Sequence, residues 1–147
     1  MTEAGLYAEE PGLSPEELRR IEEAFARVPY ARLIGIEVGK LERGAATLYL
    51  PVRDELKQNL GVVHGGATAS LIDTASAFAI LTMLKPGETT TTIDLTIHYL
   101  RPLTEGRATA HAIVRRAGRR VLTVSVDVLD EARNLAATAV TSYLRLS

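Results

Sequence analysis

One carboxylate stands where a carboxylate is expensive. Asp73 lies in Ser70-Leu71-Ile72-Asp73-Thr74-Ala75-Ser76-Ala77-Phe78-Ala79-Ile80, and no Lys or Arg occurs between His64 and Lys85. A charge buried without a partner costs several kcal/mol, and Asp is a poor residue for a helix interior. Two readings follow. Asp73 bonds a backbone group or faces a wet rim, or it serves as a general base or nucleophile in an apolar cleft. Gly65-Gly66 opens the same run. Glycines at a helix start expose N–H groups at the positive end of the helix dipole, where an oxyanion is stabilised. The plain alternative is a tight loop-to-helix turn. Gly65 and Asp73 are separated by roughly 12 Å along one helix, at about 1.5 Å per residue. One reacting carbon cannot touch both. If both act on it, Asp73 comes from a second subunit whose helix runs antiparallel, which implies a two-fold dimer with shared sites.

Other chemistries are absent from the pattern. His64, His98 and His111 are scattered, without H-E-x-x-H spacing, so no metal site is expected. Ser70 and Ser76 lack the G-x-S-x-G elbow, and neither a G-x-G-x-x-G fingerprint nor a P-loop occurs. There is no cysteine, hence no thiol nucleophile and no disulfide framework. Asp94 and His98 share one strand face at i and i+4, too far apart for direct contact, with structural or substrate-lining roles.

The elements that must position Asp73 and Gly65 follow from the periods. Residues 1–13 carry no period and read as a flexible arm. Residues 14–147 read as a single domain. Ser14-Pro15-Glu16-Glu17 starts a helix over 15–27, with Leu18, Ile21, Phe25 and Val28 on one side, ended by Pro29. Alternation at Ile36-Val38 and Ala46-Leu50 about Glu42-Arg43-Gly44 predicts a hairpin, and 53–63 a polar loop. The run 64–84 is apolar nearly all round, a helix buried on most sides, stopped by Lys85-Pro86-Gly87. Strands follow at 89–100 (alternating on Ile93, Leu95, Ile97 and Tyr99), 107–115, 121–129 and 135–146. The expected class is α+β, a two-layer domain with an antiparallel sheet wrapped around one long buried helix, plus an N-terminal amphipathic helix.

The segment His64-Gly65-Gly66 to Asp73, with Leu71 before and Thr74-Ala75 after, resembles the signature of hot-dog-fold acyl-CoA thioesterases of the phenylacetic acid degradation (PaaI) type. Tyr30-Ala31-Arg32-Leu33-Ile34-Gly35-Ile36 resembles that family's entry to its first strand, and Ile93 through Pro102 its central strand. The likeness spans roughly residues 28–146. It implies the hot-dog fold and hydrolysis of acyl-CoA to free acid and CoA. By position, Asp73 falls on the catalytic carboxylate and Gly65 on the N–H that polarises the thioester carbonyl. Gln58 falls on an Asn or Gln that positions water or carbonyl, and a one-residue shift would give Asn59 that place. Thr92 falls on a hydroxyl that orients the lytic water, since Ala77 lacks the hydroxyl some relatives carry. His64 reads as a structural part of the loop. By the same resemblance, Asn59, Val63, His64 and Gly66 are expected to flank the substrate. Residues 101–120 hold six arginines against one glutamate. The turn at Arg119 and Arg120 could hold CoA phosphates, or be a solvated hairpin tip. Leu33, Ile34, Leu71 and Phe78 are candidates to shape the acyl pocket.

Bulk properties fit. The net charge is −1 and hydrophobic residues make up 46% of the 147-residue chain, so a core forms and nothing draws the chain to nucleic acid. No apolar run reaches membrane-spanning length, and the N-terminus lacks a signal-peptide h-region. A cytoplasmic protein is expected, with acyl-CoA as substrate, no cofactor beyond the substrate's own CoA and no membrane partner. A homo-oligomer is expected, with a dimer as minimal unit and a tetramer as the full assembly. Two other functions fit the fold: a non-catalytic acyl-CoA-binding module, and a hydratase or dehydratase using a His with a carboxylate.

Overall fold

The computed structural model describes residues 11–146. The expectation of a flexible arm falls mostly on residues 1–10, outside the described ones. Just beyond them, the Pro11 and Gly12 carbonyls accept from the Arg43 guanidinium at 3.2 and 3.4 Å.

Helix α1 spans Pro15–Ala26. Its start is a capping box: the Ser14 hydroxyl accepts from the Glu17 N–H, and Glu17 accepts from the Ser14 N–H at 2.8 Å. Arg43 then pairs with Glu17 at 3.1 Å, tying α1 to the first hairpin. The Glu17 carboxyl is held down to about 2, chiefly by its hydrogen bond from Arg43 and then by that from the Ser14 N–H.

Two expectations need correction here. Pro29 does not merely stop α1. It opens a second helix, α2, over Pro29–Ile34, where residues 30–36 were expected to lead straight into a strand. Proline suits a first helical position because its missing N–H has no partner there anyway. Gly35, at φ 85°, ends α2 in the left-handed conformation. The buried helix also ends early. Helix α3 covers Gly65–Leu81 rather than reaching residue 84. Thr82 folds its hydroxyl back onto the Ala79 carbonyl at 2.7 Å and accepts the Gly44 N–H at 2.7 Å, so the chain turns away there.

The hairpin is β1 (Glu37–Glu42) and β2 (Ala45–Pro51), turning at Arg43-Gly44 with Gly44 at φ 76°. After α3 come β3 (Thr89–Tyr99), β4 (Arg107–Ala117), β5 (Val121–Leu129) and β6 (Leu135–Leu146). All pairings are antiparallel, and the sheet order is β1-β2-β4-β5-β6-β3. The sheet wraps α3, as the hot-dog arrangement requires. Leu71, Ile72, Ala75, Ala79 and Ile80 are fully buried against Leu48, Leu50, Ala108, Ala110, Val124, Val126 and Val128. Burying each Leu or Ile contributes about 1.5–3 kcal/mol. The small Ala108-Ala110-Ala112 row lets the helix sit close on the sheet centre. Among the described residues, no helix is long and apolar enough to cross a membrane.

Strand β3 departs from simple alternation. A bulge falls between Thr92 and Asp94, where the register with β6 steps from Thr92↔Tyr143 to Asp94↔Ser142. Ile93 is the extra residue and is exposed. The bulge changes the phase, so Thr92 shares the helix-facing side with Leu95, Ile97 and Tyr99.

Candidate functional site

The loop before α3 is closed by a bridge between Lys57 and Val63. The Gln58 N–H donates to the Val62 carbonyl at 2.8 Å, and Gly61 turns at φ 78°. The N–H groups of Val63 and His64 donate to Leu103 and Leu56, each at 2.8 Å, so the entry to α3 is pinned on two sides.

His64 caps the helix with its ring. Nδ1 accepts the Gly66 N–H at 2.8 Å, which fixes the neutral ring as the Nε2–H form. A Cβ on residue 66 would lie 2.9 Å from that Nδ1, which is why glycine follows. On the other side Tyr99 donates its hydroxyl to the Gly65 carbonyl at 2.7 Å, its ring 3.3 Å from where a Gly65 Cβ would be. Burial raises the Tyr99 phenol above its ordinary range, so it stays a donor. With the Gly65 carbonyl held and the Gly66 N–H used, the Gly65 N–H remains without an acceptor among the described residues. It borders a cleft of about 350 Å³ lined by Gln58, Val62, Val63, Thr68, Tyr99 and Leu103.

Gln58 therefore sits in the cleft with Gly65, its Oε1 bonded to the Leu60 N–H. Asn59 is exposed and does not line that cleft. Val63 is buried in the cleft wall, while His64 and Gly66 face a neighbouring hollow with Tyr30 and Ile34. Of the pocket-shaping candidates, Ile34, Leu71 and Phe78 are buried and Leu33 is 70% exposed.

Asp73, two turns along α3, is half-buried. Its Oδ1 accepts the Thr92 hydroxyl at 2.9 Å and the Tyr143 hydroxyl at 2.6 Å. Tyr143 also reaches the Asp73 backbone carbonyl at 2.7 Å. Oδ2 has no hydrogen-bond partner among the described residues. Tyr143 escaped the sequence reading. The available signal was a phenol at an inward position of a strand otherwise lined by Ala137, Ala139 and Thr141, since a buried Tyr hydroxyl needs a partner. Burial, reinforced by the hydrogen bond to Asp73, pushes its phenol well above the ordinary range, so it donates and does not ionise. The register pairs Thr92 with Tyr143, so both hydroxyls rise side by side beneath Asp73.

Within one chain Asp73 is not part of the cleft beside Gly65. Arg119 and Arg120 are exposed on the β4–β5 turn. That turn adjoins the C-terminal end of β6, where the Arg145 N–H donates to the Arg120 carbonyl at 2.7 Å, and so lies at the Thr89 end of the sheet. Asp94 and His98 lie on the sheet face away from α3, which removes them from the cleft.

Comparison with known proteins gives a consistent picture. The thioesterase superfamily model matches residues 60–137, the stretch holding the end of the loop, α3, β3 to β5 and the start of β6. The medium/long-chain acyl-CoA thioesterase YigI of Escherichia coli is 29% identical, over 86% of this chain and 92% of that protein. The structure of the Escherichia coli PaaI protein superposes with a TM-score of 0.85 at 24% identity, over 92% and 96% of the two chains. A variant of PaaI from Thermus thermophilus gives a TM-score of 0.74 at 31% identity, over 80% of this chain and 99% of that one. The chain, with its hot-dog fold, belongs to the thioesterase superfamily.

Proposed function

We propose that the chain hydrolyses acyl-CoA thioesters at a site shared between two copies, with Gly65 supplied by one and Asp73 by the other. The observation that carries this is the state of the Asp73 carboxylate. Two hydroxyls saturate Oδ1 and leave Oδ2 as the free oxygen of a carboxylate embedded in an apolar helix. A carboxylate built only for structure has no need of a rigid, half-satisfied geometry.

The thioester carbonyl oxygen accepts the free Gly65 N–H at the positive end of α3, with the Gln58 amide beside it. Asp73 Oδ2 takes a proton from water as the water oxygen bonds to the carbonyl carbon, or attacks that carbon itself with hydrolysis following. The negative charge that develops rests on the carbonyl oxygen. Its collapse breaks the C–S bond and releases CoA. In the first route the thiolate takes the proton that Asp73 removed from water. In the second it leaves as thiolate and is protonated when water hydrolyses the acyl–Asp73 anhydride and regenerates the carboxylate. These groups supply the whole reaction, so no cofactor is required beyond the CoA of the substrate. The arginine turn belongs to the end of the sheet that carries Thr92 and therefore comes with the copy supplying Asp73. Arg119 and Arg120 there suit the phosphates of CoA.

Thiol release from a panel of acyl-CoAs tests the reading, comparing wild type with Asp73→Asn. The expected result is turnover of at least one CoA ester by wild type and a loss of about a hundredfold or more in kcat for the folded variant. Binding of acyl-CoA without turnover by either protein would instead establish a non-catalytic binding module.

A further inference from the structure

Strand β3 touches both halves of the site. Thr92, near one end, holds Asp73, and Tyr99, at the other, holds Gly65. The same strand lies at the edge of the sheet, next to β6 on one side only, and carries three exposed apolar side chains at or beside it, Ile93, Tyr99 and Leu100. Resting on the shared-site reading above, the second copy must bring its Thr92 to the first copy's Tyr99. Antiparallel pairing of β3 with the β3 of a second copy does this directly.

The register of that pairing follows from two conditions. Residues directly opposed across an antiparallel pair point to the same face. The β3 bulge makes two residues count as one below Asp94, as the pairing with β6 already does. Tyr99 then opposes Thr92 of the second copy when Ile97 opposes Leu95 and Thr96 opposes itself on the two-fold axis. In this register Asp94 of each copy faces His98 of the other, on the sheet face away from α3.

We propose that two reciprocal Asp94–His98 pairs across β3 set the register of the dimer and thereby align Asp73 of one copy with Gly65 of the other. Nothing else charged competes along the flanking strand. On β6 the residues opposite Asp94 and His98 are Ser142 and Thr138, with Val140 between. Beyond β6, Asp127 on β5 faces Thr138, whose hydroxyl it accepts at 2.8 Å, and Arg115 donates at 2.6 Å to Ser125, the β5 residue opposite Val140. Asp94 and His98 of one chain are four positions apart and cannot meet, so their partners are each other's counterparts.

The chain has no cysteine, so single cysteines report the register directly. Thr96→Cys is expected to give a disulfide-linked dimer on mild oxidation, read on a non-reducing gel. Asp94→Cys and His98→Cys are each expected to stay unlinked alone, because the two copies of either residue are about 13 Å apart along the strands. Mixed together they are expected to link. Self-linking of Asp94→Cys, or failure of Thr96→Cys to link in a preparation that sediments as a dimer, overturns the register. A charge cycle tests the pairs themselves. His98→Asp sets carboxylate against carboxylate and is expected to raise the dimer dissociation constant at least tenfold, and adding Asp94→Lys to restore it to within about threefold. Absence of rescue overturns the pairing. Sedimentation of active wild type as a monomer would remove the shared site as well, which separates that failure from a wrong register.

Discussion

At the scale of single residues, the central feature is how Asp73 is held. Thr92 and Tyr143 place two donors on one oxygen, and Tyr143 clamps the backbone carbonyl of the same residue. Tyr143→Phe keeps the ring and removes both contacts. A hydrogen bond to a charged group is worth about 1.5–3 kcal/mol, so kcat is expected to fall by about ten- to a hundredfold with KM little changed. Steady-state kinetics on one good substrate checks this, and an unaltered kcat would show that Thr92 alone suffices. Asp73 was legible in the sequence because a lone acid in an apolar helix demands an explanation. So was Gly65 as a candidate oxyanion donor, from its place at the helix start. Tyr143 was not, because its contact with Asp73 spans 70 positions and depends on which strand neighbours β3. No local period carries that.

At the scale of elements, the long periodic runs were readable and their ends were not. The order of α1, hairpin, buried helix and four strands follows from hydrophobic spacing alone. Helix α2 was hidden, since six residues are too few to show a period and proline looks the same as a stop or a start. The β3 bulge was hidden too, and it is what aims Thr92 at Asp73. Strict alternation would send Thr92 to the opposite face from Leu95. Helix α1 makes a separate, testable contribution through Glu17. Its carboxyl lies below the ordinary value of 4.5, at about 2, because Arg43 and the Ser14 N–H bond the ionised form. A lowered value means the stabilisation is full above the unfolded value and disappears as pH falls through the folded one. The stability advantage of wild type over Glu17→Gln is therefore expected to be constant above about pH 5 and to shrink between about 4.5 and 2. Chemical denaturation of both proteins across that range reads it directly. A constant difference down to pH 2 would contradict the Arg43 pairing.

At the scale of the whole molecule, the proposed site needs two copies, because within one chain Asp73 is not part of the cleft beside Gly65. The proposal of a second copy arises from the sequence alone, because eight residues of helix separate Gly65 from Asp73. The edge proposed to join the copies required the sheet order, which sets β3 outermost although it follows α3 directly in sequence. A shared site predicts complementation between two different defects. Asp73→Asn removes the carboxylate. Gly65→Pro removes the N–H at a first helical position that tolerates proline, after a His64 whose ψ of 134° already suits a residue preceding proline, and its Cβ, 3.3 Å from the Tyr99 ring, requires that ring to give by a few tenths of an ångström. Each variant alone is expected to lose about a hundredfold or more in acyl-CoA hydrolysis. Co-expressed, half of the dimers are mixed and each mixed dimer has one intact site, so the mixture is expected to regain about a quarter of wild-type activity. Recovery to that level establishes that Gly65 and Asp73 act from different subunits. A mixture as inactive as its parents, with mixed dimers demonstrably formed, would contradict the shared site.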